Sequence, residues 1–353
     1  MSGTTRSRGH ADARGLTVSS GVGSSLAVDG GSMTRGSRRR ALIALVVGVL
    51  VSALFLWLAV RDVDLSAVRR TLEEAQVGYV VVAVAAMAGV YFFQAVRWRK
   101  IAASPQVRLA RFYEMVVSGV ACNNVLPARL GDLFRARWLG LEAPMPAGRA
   151  FGTVVLDRGS DVAALFLFLL AGLAAVASTE WLVRIAVGAA LALGALSALV
   201  VFARGYTRRR ARTRRSRGLA RRLVRDTMEA LAGPLGIRRL SVWLVLSLGA
   251  WAMWAAGAIA VARSLGLDLS LVDAAFITAV MNLGVAIPSS PGFVGTYEWL
   301  GVSSLGLLGI GPEEALAFSI LLQACWFVPT TLCGGLAMGV RALGRVQRVR
   351  PAS

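Results

Sequence analysis

Residues 287–298 read IPSSPGFVGTYE, placing two prolines, two glycines and a carboxylate inside an otherwise apolar stretch. Proline removes a backbone donor and glycine loosens a helix, so a plain membrane-spanning segment avoids both. In hydrocarbon an unsatisfied peptide group is costly, and broken backbone survives only where it is buried in protein or lines a wet cavity. The stretch is therefore read as half of a substrate site, with Pro288, Pro291, Gly292, Gly295 and Glu298 as candidate residues.

Composition supplies the membrane premise. The 353 residues are 56% hydrophobic and only 16% charged, with a mean hydropathy of +0.64, which excludes an ordinary soluble domain. The net charge of +20 is almost all arginine, Lys100 being the only lysine. In a membrane protein such charge marks cytoplasmic loops and contact with anionic membrane lipids. The arginines flank apolar segments and no recognition module is present, so nucleic acid is not an expected partner. Cys122, Cys325 and Cys333 lie in apolar stretches without ligand spacing and read as small buried thiols. The only histidine, His10, lies in the N-terminal tail. That removes a histidine relay, a histidine metal site and a histidine-based triad, and no cofactor is expected.

A membrane span needs ~20 apolar residues. Residues 41–60, 77–96, 162–177, 181–203, 241–262 and 315–340 qualify, with Trp57, Trp98, Trp181 and Trp243 near their ends as interfacial residues. Residues 112–126 and 274–287 are short for a span, and each runs into proline. If 112–126 crossed fully, Arg129, Arg135, Arg137 and Arg149 would fall outside, against the positive-inside rule. An enter-and-return hairpin keeps them inside.

The expected fold class is thus all-α: a polytopic transmembrane bundle of six full spans plus two re-entrant helical hairpins. Residues 1–40 read as a disordered cytoplasmic tail, with Met33 as a candidate alternative start, and 342–353 as a second cytoplasmic tail. Between them, halves 41–179 and 181–341 run in opposite directions, an inverted-topology repeat whose broken elements meet at the substrate site. A basic loop, 204–239, falls in the second half as a solvated, lipid-facing tether. The chain is expected to be multi-pass in the cell membrane with both termini cytoplasmic. Parity of crossings equally allows 274–310 to form two spans instead of a hairpin.

Three groups of residues carry the candidate chemistry. Arg129, Asp132 and Arg135 recur every three residues, which on a helix is either a surface ion ladder or an anion clamp whose guanidinium forks suit phosphate. Asp157, Arg158 and Asp161 follow, with the two acids four apart. Carboxylates this near hydrocarbon are paired or protonated, unless they simply favour a helix N-terminus. Glu298 closes the Pro/Gly segment, with proton coupling or pairing to an arginine of the other hairpin as its roles. Asn123, Asn124 and Asn282 are placed to satisfy freed backbone groups.

The segments NNVLPARLGDLFR (123–135), DRGSD (157–161) and PSSPGFVGTYE (288–298) resemble, in order and spacing, those of the flippase-like family named for the transmembrane region of lysylphosphatidylglycerol synthase. The likeness covers roughly residues 41–341. Asp132 and Asp157 stand where the family usually carries glutamate, a shorter reach. Bifunctional members also carry a soluble aminoacyl-transferase domain, which the likeness does not include. The resemblance implies lipid movement between leaflets, or a membrane subunit serving a separate lipid-modifying enzyme. Two other readings stay open: an enzyme of lipid head-group or glycosyl transfer using Asp157 and Asp161, and a non-catalytic scaffold.

Overall fold

The computed structural model describes residues 35–126, 130–176, 219–232, 236–285 and 291–349. Met1–Ile43 and Ala44–Ser353 are separate units, and the second contains the helical bundle and both candidate sites. Among the described residues the structure is helical throughout, without strands. The α-helices are α1 (Arg35–Val60), α2 (Leu65–Glu73), α3 (Val77–Ala102), α4 (Leu109–Val125), α5 (Leu130–Glu142) and α6 (Ala147–Val176). They continue as α7 (Leu219–Ala232), α8 (Ile237–Ser264), α9 (Leu271–Gly284), α10 (Thr296–Gly306) and α11 (Pro312–Val349). A 3-10 turn, Pro291–Phe293, precedes α10.

Among the described residues, three helices are long and apolar enough to cross a membrane: Val77–Ala102, Ile237–Ser264 and Pro312–Ala342. They contain the expected spans 77–96, 241–262 and 315–340. Segment 41–60 lies within α1 and most of 162–177 within α6, whereas 181–203 lies outside the described residues. On α11, Leu332, Leu336 and Val340 recur every four residues and are 67%, 70% and 62% exposed. A contiguous apolar stripe facing outward on a helix this long fits lipid, not water.

Within lipid, helices associate through close packing more than through the hydrophobic effect, and small residues at the contact permit it. The α3–α8 pair shows this. A side chain begun at Gly249 would lie 2.7 Å from Phe93, and one at Gly257 would lie 2.7 Å from Met87. α6 packs on α9 in the same way, where a Cβ at Gly172 would come within 2.5 Å of the Phe276 backbone. α4 packs on α11.

Caps set the shorter elements. Asp64 begins α2 by accepting the Ser66 N–H at 2.9 Å. Ser270 and Asp273 exchange backbone-to-side-chain bonds at 3.1 and 3.0 Å to begin α9. The expected basic loop 204–239 is helical over Leu219–Ala232. There Leu231 is buried and the Thr227 hydroxyl donates to the Gly148 carbonyl of α6 at 2.9 Å.

Candidate functional site: a buried arginine–aspartate cluster

Three arginines and three aspartates from α3, α5 and α6 form one connected cluster. Arg97, wholly buried on α3, donates from Nε to Asp157 Oδ1 at 2.8 Å. Its Nη1 and Nη2 grip both oxygens of Asp161 at 2.6 and 3.0 Å, and Nη1 also donates to Ser247 Oγ of α8 at 2.6 Å. Arg135, wholly buried on α5, donates from Nη2 to Asp157 Oδ2 at 2.9 Å. Arg158 of α6 closes the chain, reaching Asp132 Oδ1 at 2.9 Å and Asp161 Oδ2 at 3.4 Å.

The four-residue spacing of Asp157 and Asp161 puts both acids on the face of α6 that meets Arg97. Three positive and three negative groups balance, which is what permits burial. An unpaired charge in such surroundings costs several kcal/mol, and a paired one is held if its remaining hydrogen-bonding positions are met. Arg97 meets that condition with four donor contacts. Arg135 does not: its Nε and Nη1 find no hydrogen-bond acceptor among the described residues, although Nη1 lies 3.7 Å from Asp132 Oδ1. The Arg135 guanidinium carbon instead sits 4.3 Å from the centre of the Trp98 ring, a contact worth about 2 kcal/mol when desolvated. Trp98 is fixed in turn by its indole N–H, which donates to Thr153 Oγ1 at 3.0 Å.

Exposure runs in a gradient across the cluster. The Arg97, Arg135 and Asp157 side chains are sealed, whereas Asp132 is 20% and Arg158 36% exposed. The more exposed end is therefore the Arg158–Asp132 pair, adjacent to the Nε and Nη1 groups of Arg135. A tight α4–α5 junction holds Arg135 there. A Cβ at Gly131 would strike the Gly119 carbonyl, and one at Gly119 would lie 2.5 Å from Arg135 Cδ. Asn123 Oδ1 accepts the Gly131 N–H at 2.8 Å, satisfying backbone in the first turn of α5.

The Pro/Gly segment forms a second locus. Gly292 (φ 75°) and Gly295 (φ 88°) both adopt left-handed backbone, which glycine tolerates without strain. Glu298 is buried, and its carboxylate accepts the Gly295 N–H at the start of α10. Glu298 makes no ion pair among the described residues. The Gln323 side chain of α11 donates to the Gly292 carbonyl at 2.8 Å. A Cβ at Gly292 would lie 3.6 Å from the Asn124 carbonyl oxygen, so this segment meets the end of α4. Asn124 Nδ2 donates to Thr331 Oγ1 at 2.8 Å and Thr330 Oγ1 at 3.3 Å, beside Pro329 within α11.

Of the sequence-predicted residues, Asp132, Arg135, Asp157, Arg158 and Asp161 come together. Asn124, Gly292, Gly295 and Glu298 belong to the second locus with Pro291. Asn282 bonds to the Thr278 carbonyl of its own helix at 2.8 Å. Arg129 and Pro288 lie outside the described residues. Arg97 and Ser247 are the members that sequence reasoning missed. In sequence, Arg97 reads with Arg99 and Lys100 as part of a cytoplasmic boundary. Its signal is the stripe of Tyr91, Gln94, Arg97, Trp98 and Ile101, which are all buried on one face of α3.

Residues 45–334 match the family model described as "Lysylphosphatidylglycerol synthase TM region". Comparison with curated proteins finds no match.

Proposed function

Because the chain belongs to the lysylphosphatidylglycerol synthase transmembrane-region family, an integral membrane family of lipid metabolism or transport, we propose that it moves an anionic phospholipid or polyprenyl-phosphate lipid between leaflets. The observation that carries the reading is Arg135, a buried guanidinium whose Nε and Nη1 lack acceptors among the described residues, beside the part-exposed Arg158–Asp132 pair. A phosphate oxygen supplies the missing acceptors, and Arg158 exchanges Asp132 for the phosphate while Arg97 keeps Asp157 and Asp161 in place. Guanidinium forks suit this exchange because they bind carboxylate and phosphate alike.

In this reading the chain is a multi-pass cell-membrane protein with both termini cytoplasmic. Its fold comprises six spans and two re-entrant hairpins, α4–α5 and α9–α10, related as an inverted repeat. The contact of the Pro/Gly segment with Asn124 supports a meeting of the two hairpins. The lipid moved is an anionic membrane lipid, and a separate lipid-modifying enzyme is the natural source or recipient.

The test is reconstitution into vesicles with fluorescent phosphatidylglycerol and phosphatidylcholine, following transbilayer movement by quenching of the outer leaflet. Arg158→Ala and Arg158→Lys should both slow the anionic lipid by about tenfold or more, and Arg158→Lys, which keeps the positive charge, should do so while leaving the melting temperature near that of the unaltered protein. Unchanged rates in both variants would remove the proposal.

A further inference from the structure

A cavity of ≈ 720 Å³ opens at the end of the bundle where the C-terminus of α3 meets the first turns of α6 and α8, with α7 along one side. Lys100, Arg149, Arg238 and Arg239 line it, together with the acids Asp226 and Glu229. Both acids are already engaged by Arg225 of their own helix, at 2.9 Å and 3.5 Å. Lys100, Arg149 and Arg238 are exposed and have no carboxylate partner among the described residues. Among the described residues the cavity lining thus holds more positive than negative charge. Leu156, Val242 and Trp243 add an apolar wall beside these cations.

We infer that this cavity is a second binding site, distinct from the buried cluster, for a phosphate monoester: a group carrying nearly two negative charges. A phosphodiester carries only one, so three unpaired cations favour the monoester. The first turns of α6 and α8 bring their positive helix ends to the same place and add to the preference. The apolar wall suits a lipid phosphate whose acyl part lies against Trp243. Free phosphate has the same charged chemistry without that contact.

The site communicates with the cluster through one side chain. Thr153 lines the cavity and accepts the Trp98 indole N–H at 3.0 Å, and the Trp98 ring lies against Arg135. The assignment stands independently of transport, since it concerns occupancy of the cavity alone.

The full chain in detergent is titrated with phosphatidic acid, phosphatidylglycerol and phosphatidylcholine, and bound lipid is counted by native mass spectrometry. Phosphatidic acid should bind about tenfold more tightly than phosphatidylglycerol. Lys100→Gln/Arg149→Gln/Arg238→Gln should erase that preference, whereas Arg61→Gln/Arg69→Gln/Arg70→Gln, which removes as many exposed cations elsewhere, should keep it. Millimolar inorganic phosphate added as competitor assigns the source. Displacement supports the site as one for the free ion as well, and retention supports it as a lipid site. Equal affinity for the two anionic lipids, or an undiminished preference in the cavity variant, overturns the inference whatever the transport rate of either variant.

Discussion

Arg97 and Asp161 meet through two contacts of 2.6 and 3.0 Å, with the arginine side chain wholly buried. The pair joins α3 to α6 across the interior and, through Ser247, reaches α8. It is the sealed end of a cluster whose other end, at Arg158, is open.

Removing one partner of this pair leaves an uncompensated buried charge, so Arg97→Met and Asp161→Leu should each destabilise the protein by about 3–5 kcal/mol. Combined, they restore the balance of charge. The double variant should be less destabilised than the sum of the two, and thermal melting of all four proteins in detergent measures that coupling.

The junction under Arg135 has no room for a side chain. Gly131→Ala sets a methyl against the Gly119 carbonyl, and the expected loss is about 1–3 kcal/mol with a displaced Arg135. Gly78→Ala, which meets nothing within 4 Å, is the matched control and should melt within a degree or so of the unaltered protein.

Asn124 connects α4 to the part of α11 that holds Pro329. Asn124→Ala removes its bonds to Thr331 and Thr330, each worth about 1 kcal/mol. It also removes a side-chain oxygen that has no partner among the described residues, so the net loss should stay near about 1 kcal/mol. Hydrogen exchange should quicken around Pro329 and not at α2.

Outside the spans, the Asp64 carboxyl is held below its ordinary value by hydrogen bonding to Ser66. A carboxylate with a lowered folded-state pKa stabilises the fold above its unfolded value and loses that contribution as pH falls through the folded value. The melting-temperature difference between the protein and Asp64→Ala should therefore be constant near neutrality and shrink as pH falls below about 4.

The spans within α3, α8 and α11 were legible because a run of ~20 apolar residues has few other uses. Asp157 and Asp161 were legible because two acids four apart share a helical face. Arg97 was not, because an arginine one turn inside the end of a span looks the same in sequence as one just outside it. Only its partners on α6 separate the two cases. The helix α7 was hidden for a related reason. Its arginines dominate the sequence, while the contact that orders it depends on Thr227, Leu231 and a glycine of α6. The Pro/Gly segment was recognisable as broken backbone, but that Glu298 turns back to cap its own helix depends on the left-handed backbone at Gly295.

A phospholipid bearing a photoactivatable diazirine in its head group tests most directly whether phosphate reaches Arg135. After irradiation in vesicles and digestion, adducts should map to α5 and α6 around Asp132, Arg135 and Arg158, and unlabelled anionic lipid should compete them away. Adducts confined to outward-facing positions such as Leu133 and Leu141, which are 52% and 61% exposed, with none at the cluster, would contradict it.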